Sequence, residues 1–207
     1  MNKRLFLIAA LFNALMAAAL CTAQPTLSRS QIPSRLIPEM KEQLNHLYDT
    51  DAGVRARAAA YFGDLGERGE AAIPFLISML ADDIKIDPIN EGRYLISMFD
   101  YEVTLKTSPA LQAARSLSNL GDVAVKPLID ALKHDSRQVR LKAVKILGML
   151  ESVEAVRPLM EAARAQEWQI REAAADALGD LESASALPVL RKLLDDPQWQ
   201  VRIEAIN

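Results

Sequence analysis

One short phrase recurs along this chain and constrains everything else. Val54-Arg55, Val139-Arg140, Ile170-Arg171 and Val201-Arg202 each open an apolar, mostly alanine-rich stretch, and Arg140, Arg171 and Arg202 stand 31 residues apart. A glycine follows three of these arginines eight places later, at Gly63, Gly148 and Gly179. A fifth copy, Pro109 to Gly121, keeps Leu111, Ala114, Leu117 and Leu120 but has Ala110 where the others have arginine. Four copies then run into a second apolar stretch opened by proline: Pro74-Phe75-Leu76, Pro127-Leu128-Ile129, Pro158-Leu159-Met160 and Pro188-Val189-Leu190. A unit of this length cannot bury its own apolar flank, so consecutive units must stack.

The units read as helix pairs. Aromatics are 5% of the 207 residues and glycine only 8 of them, a balance that favours helix over β-sandwich or barrel. Counted from each proline, places +1, +2 and +5 hold Phe75, Leu76, Met79; Leu128, Ile129, Leu132; Leu159, Met160, Ala163; and Val189, Leu190, Leu193, one stripe at helical spacing. Proline is tolerated in a helix's first turn, and a glycine near the end of the first helix suits a residue that leaves helical geometry. Asp135, Ser136 and Asp196 are expected as caps ahead of the first helices. The fold class expected is all-α, an α-solenoid of stacked antiparallel helix pairs.

These residues resemble the HEAT repeat, in the short bacterial form similar to phycobilisome-lyase HEAT-like repeats. The likeness is strongest over Val123 to Arg202, fair over Asp49 to Asp83, and absent over Met1 to Pro38. It implies a fold and little more, since such repeats serve lyases, scaffolds and binding modules alike.

Around the repeats, residues 1–23 read as a secretory signal. Lys3 and Arg4 precede an apolar run from Leu5 to Leu20, and small residues place the cleavage between Ala23 and Gln24. A lipid anchor on Cys21 is the weaker alternative, because Leu20 stands where a small residue is usual. An exported chain is expected, in a bacterial periplasm or outside the cell, without membrane insertion after cleavage. Residues 24–38, with Pro25, Pro33 and Pro38, read as an extended tether. The solenoid then divides into a cap helix over 39–48, repeats over 49–83, 109–134, 135–166 and 167–196, and a partial repeat over 197–207 that lacks its second helix and suggests a longer natural chain. About 24 extra residues fall within 84–108 and carry Tyr94, Phe99 and Tyr101, expected to pack onto Phe75 and Leu80.

No cluster of reactive residues has the partners that catalysis or metal binding needs. Two histidines, His46 and His134, sit in equivalent turns without further ligands, and the paired His-Glu dipeptides of HEAT-type iron hydroxylases are missing. No metal, cofactor or catalytic residue is expected, and the chain reads as not an enzyme. A formal net charge of −3 gives no basic footprint for nucleic acid. Arg55, Arg140, Arg171 and Arg202 are expected to form a structural ladder with acidic groups of adjoining repeats, such as Asp64 or Asp180. Trp168 and Trp199, each three residues before an arginine, are expected to pack between repeats. The function expected is a non-catalytic binding module for a protein or peptide. Its second helices would line a concave surface, with Asp130, Lys133, Glu161, Arg164 and Arg191 as contacts. A bilin lyase or isomerase is the alternative that the resemblance implies, and the leading sensor or adaptor part of a larger exported protein is a third.

Overall fold

The computed structural model of the chain describes residues 27–86 and 107–206. The signal, its cleavage point at Ala23 and Gln24, Cys21, and the aromatics Tyr94, Phe99 and Tyr101 lie outside these residues. Among the described residues there are ten α-helices: α1 (Pro38–His46), α2 (Ala52–Gly63), α3 (Ile73–Met79), α4 (Pro109–Leu120), α5 (Asp122–Ala131), α6 (Arg137–Met149), α7 (Val156–Ala162), α8 (Trp168–Asp180), α9 (Leu187–Leu193) and α10 (Trp199–Glu204). The chain is an all-α solenoid. First helices stack on first helices, α2 on α4, α6 on α8 and α8 on α10, while α3, α5 and α7 each pack against the first helix that follows, α4, α6 and α8, and α9 packs against α8.

The apolar stripe of the second helices forms the core. Phe75, Leu76, Met79, Leu128, Leu159, Ala163, Val189 and Leu193 are all buried, in one cluster with Ala59, Phe62, Ala113, Leu117, Ala143, Leu147, Ala174 and Leu178 of the first helices. A leucine taken wholly out of water contributes about 1.5–3 kcal/mol, so this stripe is the main cohesive term. Three second helices follow a short 3-10 turn and carry proline within their first three residues, whereas α5 begins earlier, at Asp122, and holds Pro127 inside.

The recurring glycines do a different job from the one expected of them. Gly63 and Gly148 have ordinary helical geometry, and what they provide is closeness. A methyl on Gly63 would stand 2.8 Å from Ser116 Oγ on α4, and one on Gly148 would stand 2.7 Å from Ala177 Cβ on α8. The left-handed residue comes three places later, eleven after the repeat's arginine position: Gly66 (φ 54°), Gly121 (φ 68°), Glu151 (φ 49°) and Glu182 (φ 46°). Two units thus place a glutamate where glycine would cost less.

At the leading end, residues 27–36 lie against the first helices, where an extended tether was expected. Leu27, Ile32 and Leu36 pack on the core, Tyr48 Oη donates to the Leu27 carbonyl at 2.6 Å, and the Arg29 guanidinium sits 5.1 Å over the Tyr48 ring. The apolar residues between the prolines supply the surface that the proline content obscured.

Candidate functional site

The arginines form a repeated fastening that differs in its partners from the one expected. Each sends Nη1 to two carbonyls in the turn ahead of its own helix: Arg55 to Asp49 and Thr50, Arg140 to His134 and Asp135, Arg171 to Ala165 and Gln166, Arg202 to Asp196 and Pro197. Three of them also grip a carboxylate in the turn after their own unit. Arg55 Nε meets Asp82 at 2.7 Å, Arg171 Nε meets Asp196 at 2.7 Å, and Arg140 pairs with Glu167. Those carboxylates lie 27, 25 and 27 residues beyond their arginines, and Asp64 and Asp180, the partners expected, are exposed at helix ends.

The electrostatics of the rungs follow their burial. Arg55 is 1% exposed, and burial pushes the Asp82 carboxyl above its ordinary value despite the guanidinium beside it. Asp196 is held below the ordinary range, chiefly by its hydrogen bonds from Arg171. In the unit that has Ala110 instead of arginine, Lys142 of α6 reaches back past α4 to the Leu80 carbonyl at 2.8 Å and to Asp83.

The turn residues are absorbed in the same way. Asp49, His134 and Asp196 each stand six places before an arginine, and each side chain accepts the N–H two residues on, at 2.9, 3.0 and 2.9 Å. Ser136 caps nothing with its hydroxyl, since His134 Nδ1 accepts its backbone N–H instead. Among the described residues no group of three or more His, Cys, Asp or Glu could hold a metal ion. Trp168 is half-buried on the core, and Trp199 is 59% exposed.

The five residues expected to face a partner stay outside this internal bonding. Asp130, Lys133, Glu161, Arg164 and Arg191 are all exposed on α5, α7, α9 or the turns that end them. Among the described residues of this face, Arg157 pairs with Glu161 at 3.7 Å, one turn apart and mostly in water. Three further residues belong to the same face and were not singled out from sequence: Lys126, Arg157 and Leu187, each immediately before its unit's proline and each exposed. Their signal was the column preceding the proline, one helical turn before the column of Asp130, Glu161 and Arg191. In the first unit the equivalent places hold Ile73, Ile77 and Leu80, which turn inward.

A family model described as HEAT repeats matches residues 125–207, and one described as the PBS lyase HEAT-like repeat matches 54–82 and 110–134. No curated protein matches the sequence. Among solved structures, the complex of CpcE and CpcF of phycocyanin lyase from Nostoc sp. is 24% identical, with 87% of this chain and 67% of that one covered at a TM-score of 0.50. That likeness speaks for the fold. An engineered protein, 18% identical with 82% and 77% covered, overlaps more loosely at a TM-score of 0.39. The expectation that the chain is not an enzyme is corrected by these matches, because lyase-type repeats match two of its segments and lyase subunits share its fold. The physical reason is that catalysis by positioning reactants needs no nucleophile or metal motif for a sequence to display.

Proposed function

Because the chain is a HEAT-repeat protein, we propose that it acts by holding a protein or peptide partner along the row of its second helices. The observation that carries this reading is a division of labour among its charges. The arginines of the ladder are spent on carbonyls and carboxylates of the chain itself, whereas Lys133, Arg164 and Arg191 stand exposed without such partners among the described residues. Polar side chains presented at equivalent places on successive helices suit recognition by many modest contacts. The export reading rests on Lys3, Arg4 and the apolar run before Ala23, and places this recognition in a periplasm or outside the cell.

A second reading, a bilin lyase or isomerase, is favoured by the match of the PBS lyase HEAT-like repeat to 54–82 and 110–134. The two readings share a docking step, since a lyase that modifies a protein must first hold it. Photocrosslinking residues placed at Glu161 and Arg191 should capture a partner that the same residue at exposed Asp64 does not. Equal capture from both faces would refute the docking surface. Mixing the protein with phycocyanobilin separates the second reading: a shifted absorbance band supports it, and an unchanged spectrum removes it.

A further inference from the structure

Two features bind one first helix to the next along the stack, and both are missing between α4 and α6. The first is a glycine eight places after the arginine position, met by a small residue six places after that position on the following helix. Gly63 meets Ser116 and Gly148 meets Ala177, where an added methyl would stand 2.8 and 2.7 Å from its neighbour. On α4 and α6 the same two places hold Ser118 and Ile146. Ile146 is 2% exposed, so a branched side chain fills the level at which the other helices nearly touch. The second feature is the arginine rung. Arg55, Arg140 and Arg171 grip Asp82, Glu167 and Asp196 in the turn ahead of the next first helix, whereas Ala110 has no guanidinium to send to the turn at His134.

What joins the two sides is of a different kind. α4 and α6 touch only sparingly, and α6 rests instead on α5 and, more lightly, on α3. On its other side α5 packs against α3 and α4, so it lies between a leading body, α1 to α4, and a trailing body, α6 to α10. The link from α4 into α5 is the single residue Gly121, at φ 68°, and nothing lies within 4 Å of where its side chain would be. Among the described residues, the polar link from α6 to the leading body is Lys142, which donates to the Leu80 carbonyl at 2.8 Å and pairs with Asp83. The Asp83 side chain is 50% exposed, and an ion pair so placed yields easily.

We infer that the solenoid bends at this one junction, with α5 as the pivot and Lys142 as the strap that limits the opening between α4 and α6. Hinges are a few element-terminal residues that absorb backbone rotation, and Gly121 is free of the steric limit that would oppose it. On either side the close glycines and the rungs hold first helix to first helix, so each body moves as a unit. The row of second helices crosses the junction, so the curvature of that surface is set here and not shared along the chain.

Spin labels at pairs of exposed residues, in the whole chain carrying Cys21→Ser, test this by double electron–electron resonance. One pair spans the junction, at Asp64 and Asp180; one lies within the leading body, at Glu42 and Asn119; one lies within the trailing body, at Gln138 and Ile203. The spanning pair should show a distance distribution at least about twice as wide as the other two. Lys142→Met keeps the apolar stem and removes the strap. It should widen the spanning distribution further, with both within-body pairs and the helical circular dichroism unchanged. Asp83→Asn, which weakens the same strap from the half-exposed side, should act in the same direction. A spanning pair as narrow as the other two would overturn the joint. Three equally broad pairs would overturn it in favour of bending spread over the whole stack. A spanning distribution that neither variant widens would overturn the strap.

Discussion

A single methyl group discriminates between two accounts of the recurring glycine. If Gly148 were merely an unoptimised position inside α6, Gly148→Ala would stabilise the chain by about 0.8–1 kcal/mol through helix propensity. The structure gives the opposite sign. The added carbon would stand 2.7 Å from Ala177 Cβ and 3.1 Å from Ala177 Cα, against an ordinary carbon–carbon contact of about 3.5–4.0 Å. Neither atom can rotate away, so α6 and α8 must separate by nearly 1 Å over a stretch where Ala143, Leu147, Ala173 and Ala174 are buried. Overpacking of this kind costs about 1–3 kcal/mol, and contact with atoms fixed to the backbone belongs in the upper half of that range. The net expectation is a loss of about 1–2 kcal/mol, read as a lower urea midpoint with an unchanged slope. Ala177→Gly alone should cost about 1 kcal/mol. Combined with Gly148→Ala it should restore the chain to near its starting stability, a coupling of about 1–3 kcal/mol. A Gly148→Ala chain as stable as the parent, or strictly additive effects, would refute the close-packing argument.

Three further outcomes follow from the turns and the ladder. Arg55→Met leaves Asp82 buried without its counter-charge and should cost about 3–5 kcal/mol in urea unfolding, whereas Arg202→Met, which loses only two carbonyl bonds, should cost less than about 2; equal losses would contradict the burial argument. Glu151→Gly relieves a left-handed residue at φ 49° and should raise stability by about 0.5–1 kcal/mol after the added freedom of the unfolded chain is counted, with a higher melting temperature as the readout. The Arg171–Asp196 rung should be sensitive to acid: the depressed carboxyl stabilises the fold fully above the ordinary aspartate value of 3.8 and loses that effect as pH falls through its lower folded value. Asp196→Asn should therefore flatten the fall in stability between pH 6 and pH 3, and an unchanged slope would count against it.

The period was legible because every unit must bury the same stripe, and Val-Arg marks the same place in each. The ladder's existence followed from that period, but its partners did not. Asp82 and Glu167 lie 27 residues after their arginines and Asp196 only 25, because a carboxylate at more than one place in the turn reaches the guanidinium: Glu167 stands four places before Arg171, and Asp196 six before Arg202. Gly148 was visible as a repeating letter, yet its reason is a distance to Ala177, which lies on another helix and has no one-dimensional trace. The second-helix face was half legible: Asp130, Glu161 and Arg191 came from counting forward of the prolines, while Lys126, Arg157 and Leu187 lay one place behind them. Residues 27–36 were misread because proline content argues for extension, while Leu27, Ile32 and Leu36 decide where the extended chain comes to rest.

The arginine fastening has a consequence for how such an array can grow. Arg55, Arg140 and Arg171 each hold the loop ahead of their own helix and an acid in the turn that follows their unit. At Asp196 the two clasps meet on one residue, Arg171 on its carboxylate and Arg202 on its carbonyl, so a duplicated stretch of about thirty residues closes against the turn of the neighbour it lands beside. The array can lengthen by copying, and the unit bearing Ala110 shows that losing one clasp is survivable when a lysine further along throws a line across the gap.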